Sequence, residues 1–228
     1  MNDIRTALIT GGSRGLGRAL ARALTDRGWR VVIDSRDADR LRPAAQALGT
    51  EAIAGDVADP AHRVALAAAV GPRLDLLVNN ASVLGPSPQP TLEHYPLDVL
   101  AEVYRVNTFA PLALCQLLLP ALRAANGRIV NVSSDAAVEA YPGWGGYGSA
   151  KAALDQLSAV LGTEHPELRV YAVDPGDMAT AMHQAAFPGE DISDRPSPES
   201  VVPALLELIE HDLPSGRYRA AELVAVRS

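Results

Sequence analysis

Thr10-Gly11-Gly12-Ser13-Arg14-Gly15-Leu16-Gly17 follows the apolar run Thr6-Ala7-Leu8-Ile9 and leads into an Ala/Leu-rich stretch beginning at Arg18. A glycine-rich turn between a strand and a helix is the context that a dinucleotide fingerprint requires. Gly11 can make the turn, Gly15 can let backbone approach a pyrophosphate, and Gly17 can let the helix pack closely on the sheet. Free N–H groups at the helix start would then face the phosphates. The spacing is Gly-x3-Gly-x-Gly, and a tight strand-to-helix turn without a ligand reads the same way.

Outward from this turn, short β-rich runs alternate with longer amphipathic ones. Strands are expected at 7–9, 31–33, 52–57, 74–78, 128–132 and 169–173, with a weaker terminal one at 223–226. Helices are expected at 18–27, 38–48, 61–70, 97–122 with a break near Pro111, 147–161 and 201–210. Such alternation means βαβ units, right-handed crossovers and a parallel sheet covered on both faces. The expected fold is α/β: one Rossmann-like, doubly wound parallel sheet forming a single domain over 1–228. The proline-containing segment after the sixth strand, 177–198, reads as a substrate loop, since long loops inside compact domains are usually lids or binding loops.

Composition narrows the function. Hydrophobic residues make up 48% of the 228 residues but aromatics only 4%, so Ala, Leu and Val must fill the core. A net charge of -7 without a basic run argues against a nucleic-acid partner. No run of the sequence reads as a membrane span, and the first strand begins too early for a signal peptide to precede it. The single cysteine, Cys115, cannot form an internal disulfide, which fits a cytoplasmic location. Cys115 lies in an apolar helical stretch and reads as a small buried hydrophobe. No His/Cys/Asp cluster has metal-ligand spacing.

Tyr147-Gly148-Ser149-Ala150-Lys151 puts a phenol and an ammonium one helical turn apart, and Ser134 precedes them. Residues four apart on a helix share a face. An ammonium beside a phenol favours the phenolate and lowers its pKa, which suits Tyr147 to proton transfer. Ser134 can hydrogen-bond a carbonyl oxygen as charge develops on it. Taken singly, each residue also has a structural reading: a solvated lysine, a strand-exit serine, an Asn107 that caps or kinks its helix.

The joint order of these motifs resembles the short-chain dehydrogenase/reductase family over nearly the whole chain. The family's glycine motif matches Thr10, Gly11, Gly15 and Gly17, and its acid near the adenine ring matches Asp56, followed by Val57. Its Asn-Asn-Ala-Gly segment appears as Asn79-Asn80-Ala81-Ser82, with serine in place of glycine. Its helix asparagine matches Asn107, its serine Ser134 and not Ser133, and its Tyr-x3-Lys pair Tyr147 and Lys151. Its Pro-Gly segment with a later threonine matches Pro175, Gly176 and Thr180, with Met178 between. The resemblance implies that Lys151 also holds the nicotinamide ribose and that Asn107 positions a water linking Lys151 to solvent. Ser13, Arg14 and Leu16 complete the expected phosphate-side set. The chain departs from the family at its end, where Ser215-Gly216-Arg217-Tyr218-Arg219 replaces the usual Val-Asp-Gly-Gly type of closure.

Asp34 and Arg36 pull cofactor choice in opposite directions. An acid at the end of the second strand binds the 2′-hydroxyl of NAD, whereas an arginine there accommodates the 2′-phosphate of NADP. Aligned on the family, the discriminating position falls at Ser35, so Ser35-Arg36 and Arg14 favour NADP(H), with NAD(H) possible. The expected function is NAD(P)-dependent interconversion of a carbonyl and an alcohol, acting on a small-molecule substrate in a homodimer or homotetramer. Two other readings compete. A dinucleotide-sensing regulatory protein would not need Ser134, Tyr147 and Lys151, and a methyltransferase with a glycine turn leaves Tyr147 and Lys151 unexplained.

Overall fold

In a computed structural model that describes residues 4–225, seven strands form one parallel sheet. The strands are β1 (Thr6–Ile9), β2 (Arg30–Ser35), β3 (Glu51–Ala54), β4 (Leu76–Asn79), β5 (Arg128–Val132), β6 (Arg169–Asp174) and β7 (Gly216–Arg219). Their order is β3-β2-β1-β4-β5-β6-β7, and every pairing is parallel. The chain winds outward from β1 to β3 and then crosses back to β4 on the other side of β1. That reversal opens a crevice at the carboxyl ends of β1 and β4, where α/β sheets bind ligands.

Alternate residues of the strands feed two cores, as a side-chain period of two demands. Ala7, Ile9, Val31, Ile33, Leu76, Val78 and Val130 pack on one face with Leu20 and Leu24 of α1 (Gly15–Thr25) and Leu205 and Ile209 of α8 (Val202–Glu210). Leu8, Val32, Leu77 and Ile129 pack on the other with Leu66 of α3 (Pro60–Val70) and Leu114, Leu118 and Leu122 of α5 (Ala110–Ala125). Short side chains set the helix ends. The Asp37 carboxylate accepts from the Arg40 N–H at the start of α2 (Ala38–Leu48), and Gly49, at φ 67°, closes that helix. Asp59 caps α3, with Pro60 in its first turn, where a missing N–H costs nothing.

Three expectations are corrected. The helix over 97–122 does not break at Pro111. Chain direction is kept from α4 (Leu97–Tyr104) through one π turn (Arg105–Phe109) into α5, and this wider turn makes room for Pro111, which has no N–H for the Asn107 carbonyl. Joined in this way, the 29 residues Leu97–Ala125 are long and apolar enough to cross a bilayer, contrary to the sequence reading; here their apolar positions Val103, Leu114, Leu118 and Leu122 are buried within the fold. The terminal strand expected at 223–226 is instead helix α9 (Ala220–Ala225), Val226 lying outside the described residues. Ala220 and Leu223 are both buried, a spacing of three that belongs to a helix. The seventh strand lies just before it, in the polar Gly216-Arg217-Tyr218-Arg219.

Candidate active site

The crevice at the switch point is a cleft of about 1010 Å³. The glycine turn forms its floor. Gly11 and Gly15 adopt φ of 68° and 56°, which favour glycine. Gly17 has no room for a side chain, since a Cβ there would lie 2.6 Å from Asn80 Nδ2 and 2.7 Å from the Gly11 carbonyl. Thr10 Oγ1 lies behind the turn and accepts from the N–H groups of Asn80 and Ala81, both at 3.0 Å. Asn80 Nδ2 returns a 2.8 Å bond to the Thr10 carbonyl. The exits of β1 and β4 are thereby locked together.

Asp34 is removed from the cofactor question. Its carboxylate is buried, accepting from the Gly11 N–H at 2.7 Å and lying 3.0 Å from His62 Nε2 on α3. Burial pushes its pKa up, against the His62 and Gly11 hydrogen bonds that pull it down. Asp34 thus braces the glycine turn from beneath, and Gly55 is small because the His62 ring fills the space above it. No local pattern signals the His62 contact, 28 residues away. Ser35, Arg36 and Asp37 line the cleft beside Asp34 at the end of β2: Ser35 Oγ meets Ser13 Oγ at 3.0 Å, and the exposed Arg36 guanidinium lies 3.7 Å from Asp56.

At the other end, α6 (Gly145–Glu164) brings Tyr147 and Lys151 to β5. Both are buried, and Lys151 Nζ donates to the Val132 carbonyl at 2.7 Å. The Tyr147 phenol is within hydrogen-bonding reach of Ser82 and Ser134. Protein groups alone do not lower its pKa as the sequence reading expected. Burial pushes Tyr147 up to about 12, helped by Asp135 and Asp174, and outweighs Ser82 and Ser134. Burial also brings Lys151 down to about 8, against the pull of Asp155.

Ser134 Oγ donates to Asp135 Oδ1 at 2.9 Å and accepts from the Ala136 N–H at 3.2 Å. Ser133 Oγ, by contrast, is buried without a partner among the described residues. Asn107 sits one layer back. Its amide grips the loop after β4, donating to the Val83 carbonyl (2.8 Å) and accepting from the Val83 N–H (2.9 Å) and the Ser82 hydroxyl (3.1 Å). Ser82, the departure from the family's glycine, therefore touches both Asn107 and Tyr147. Arg217 escaped the sequence reading altogether. From edge strand β7 it donates to the Ser134 carbonyl and to Asp155, both at 2.9 Å, and lies 3.6 Å from Asp174.

The expected substrate loop contains a short helix, α7 (Ala181–Ala186), whose N-terminus is capped by Thr180. Met182, Ala185 and Ala186 pack with Trp144 against Leu84 and Tyr147, and Trp144 meets the Tyr147 ring edge-on at 5.8 Å. Of the expected site residues, Gly11, Ser13, Arg14, Gly15, Leu16, Ser35, Arg36, Asp56, Val57, Asn80, Ala81, Ser82, Ser134, Tyr147, Lys151, Pro175, Gly176, Met178 and Thr180 line this one cleft. Thr10, Gly17 and Asn107 support it from behind.

Residues 5–191 match the family profile described as short chain dehydrogenase. The chain is 38% identical over 175 residues to the short chain dehydrogenase asqE of Emericella nidulans, a match covering 70% of this chain and 64% of that protein. The chain thus spans just under two thirds of that relative's length. It is 32% identical to the uncharacterized oxidoreductase YciK of Escherichia coli, over 93% of this chain and 88% of that one. A short chain dehydrogenase from Shigella flexneri, solved in complex with NADP, superposes with a TM-score of 0.89 at 30% identity, covering 97% of this chain and 98% of the other.

Proposed function

The chain belongs to the short-chain dehydrogenase/reductase family of NAD(P)-dependent oxidoreductases, and on that footing we propose that it interconverts a carbonyl and an alcohol by NADP(H)-dependent hydride transfer. One observation carries this reading: Ser134, Tyr147 and Lys151 converge at one end of the same cleft whose other end is the glycine turn and Arg36. The cradle fits a dinucleotide, because the positive-φ glycines Gly11 and Gly15 leave the backbone at the start of α1 open to an approaching phosphate, and the missing Cβ of Gly17 lets that turn pack against Asn80. When bound, the reduced nicotinamide supplies the hydride.

The chain's own residues handle the proton and the charge. Tyr147 is held protonated at neutral pH and gives its proton to the carbonyl oxygen in reduction; the phenolate takes one back in oxidation. Lys151 lies beside it, its Nζ 5.6 Å from the Tyr147 ring centre, and lends positive charge to the phenolate. Asn107 orients the Ser82–Val83 segment beneath the reacting oxygen; Pro111 has no N–H for the Asn107 carbonyl, which would suit that carbonyl to hold a water linking Lys151 to solvent. Residues 1–228 act as one catalytic unit, with 177–198 as the substrate loop. The test is a panel of carbonyl compounds followed by loss of NADPH absorbance. Cofactor binding without turnover across the panel would favour a sensing role instead.

NADP(H) is preferred over NAD(H), because the Asp34 carboxylate is engaged by the Gly11 N–H and His62 while Ser35 and the exposed Arg36 guanidinium line the cleft there. Charge-assisted contacts to a phosphate are worth about 1.5–3 kcal/mol, and solvent lowers this at an exposed arginine. Arg36→Ala is expected to weaken NADPH binding at least several-fold and leave NADH binding nearly unchanged. Fluorescence titration of both cofactors decides it, and tighter NADH binding by the unmutated protein rejects the assignment.

The protein acts as a homodimer or homotetramer. Phe109, Leu117 and Val160, on the helical run through α5 and on α6, leave 57%, 42% and 42% of their surface exposed, more apolar surface than one core-facing stripe needs. A two-fold axis would make such a contact self-complementary. Light scattering at micromolar concentration should give a multiple of the 24.0 kDa chain mass, and a mass near 24.0 kDa would count against it.

A further inference from the structure

Ser82 stands where the family has glycine, so its hydroxyl is an addition to the site and not part of the common frame. That hydroxyl lines the cleft 3.1 Å from Asn107 Oδ1 and within hydrogen-bonding reach of the Tyr147 phenol. Its surroundings are fixed on both sides. The Asn107 amide cannot turn over, because Nδ2 donates to the Val83 carbonyl at 2.8 Å and Oδ1 accepts from the Val83 N–H at 2.9 Å. Oδ1 is therefore the atom that faces Ser82. The π turn that carries Asn107 is tied in turn to the helix that carries Tyr147: Thr108 Oγ1 donates to the Ala150 carbonyl at 2.9 Å, in the interior. Serine, amide and phenol are held in one arrangement.

The phenolate form of Tyr147 needs such a partner. Burial, Asp135 after β5 and Asp174 at the end of β6 all oppose a negative charge there. Lys151 on the same helix favours it. Arg217 lies behind, 3.6 Å from Asp174, and on the substrate loop Asp177 and His183 line the same cleft as a pair 3.5 Å apart. From the β4 side residues 80–90 carry no charge at all, so a neutral hydrogen bond is what that side supplies. A hydroxyl has one proton, free to rotate, and two lone pairs. Beside the neutral phenol the Ser82 proton points at Asn107 Oδ1. Beside the phenolate it can turn to Tyr147, and Asn107 Oδ1 still keeps the Val83 N–H. No buried acceptor is left bare by the change, so it costs little.

Resting on the carbonyl–alcohol reading above, we propose that Ser82 is a positioning residue for Tyr147, its hydroxyl turning from Asn107 to the phenolate oxygen once Tyr147 has given up its proton. Ser82 keeps its own proton throughout, and only the direction of its hydrogen bond changes. Ser134 stays available to donate to the reacting carbonyl oxygen. In reduction Ser82 eases the departure of the Tyr147 proton. In oxidation it enlarges the share of Tyr147 present as the base.

The test follows Tyr147 directly and through turnover, in the unmutated protein and in Ser82→Ala, Ser82→Gly and Ser82→Thr, with NADP+ bound. The direct readout is nuclear magnetic resonance of ring-labelled tyrosine, titrated from neutral pH to the alkaline limit at which circular dichroism still shows the fold. The Tyr147 signal is the one missing from Tyr147→Phe. A hydrogen bond to a charged group moves a titration by about one pH unit or more. Tyr147 should therefore titrate about one unit higher in Ser82→Ala and Ser82→Gly, and close to its unmutated position in Ser82→Thr, which keeps the hydroxyl. The second readout is the pH profile of kcat/KM for the fastest of a panel of secondary alcohols, 1-phenylethanol among them. Its rising limb should move up with the phenol and lower the rate below the limb by up to about tenfold, while ketone reduction at neutral pH changes by less than about threefold. Lost packing alone would lower the rate at every pH and leave the limb in place. A Tyr147 signal that titrates alike with and without the Ser82 hydroxyl overturns the assignment and leaves carbonyl reduction standing. Failure of the unmutated protein to oxidise any alcohol of the panel counts against the carbonyl–alcohol reading, and the resonance titration still decides whether Ser82 serves Tyr147.

Discussion

Replacing Tyr147 by phenylalanine is expected to lower kcat/KM for carbonyl reduction by roughly 10²–10⁴ while leaving NADPH binding within a few-fold of the unmutated value. The phenol oxygen is the group within reach of both Ser82 and Ser134. Neither serine can replace it as proton donor, because an aliphatic hydroxyl is a far weaker acid than a phenol. The ring itself is packed by Trp144 and Leu84, so phenylalanine keeps those contacts and the fold. The glycine turn and Arg36 are untouched, hence the retained cofactor affinity. A phenol pushed up to about 12 stays protonated throughout the neutral range, so the loss should be seen at any pH near 7. Steady-state rates and a fluorescence titration on the same preparation separate the two quantities. A variant with near-normal turnover would reject Tyr147 as the acid, and one that no longer binds NADPH would place Tyr147 in cofactor binding instead.

The alternation of strands and helices was legible because the interior strands are buried on both faces and read as unbroken apolar runs. Where burial is one-sided the reading slipped. Gly216–Arg219 is an edge strand of largely polar residues, and Leu223 after it is buried together with Ala220, three residues earlier, as on a helix. The π turn before Pro111 was hidden for a different reason: proline says that a hydrogen bond is lost and does not say whether the helix stops or widens. In the site, residues that act within a few positions of one another were readable, as with Tyr147 and Lys151 or the glycine turn. Contacts that bridge the chain were not. Asp34 left cofactor choice pulled both ways in the sequence, and only the contacts with His62 and the Gly11 N–H show that it is held inside. Arg217 reaches Ser134 across 83 residues, and no local pattern announces such a contact.

Gly17→Val should abolish measurable cofactor binding, a weakening of at least about a hundredfold, and should also lower stability by about 1–3 kcal/mol, the usual cost of forcing carbon into a packed site. The position leaves little to give way. A Cβ at residue 17 would stand 2.7 Å from the Gly11 carbonyl, which is backbone, and 2.6 Å from Asn80 Nδ2. That amide is the group holding the Thr10 carbonyl at 2.8 Å. Moving Asn80 would release the link between the ends of β1 and β4, and moving Gly11 would break its 2.7 Å bond to the buried Asp34. Either shift disorders the turn whose N–H groups face the phosphates, and it leaves a buried carboxylate or amide without its partner. The two effects are separable. Calorimetric titration with NADPH reads the first and chemical unfolding of the cofactor-free protein reads the second. A Gly17→Val protein that is less stable yet binds NADPH normally would mean that phosphate recognition does not depend on this turn. The assignment of the glycine segment to the dinucleotide would then fail, even with the fold and the Tyr147–Lys151 pair intact.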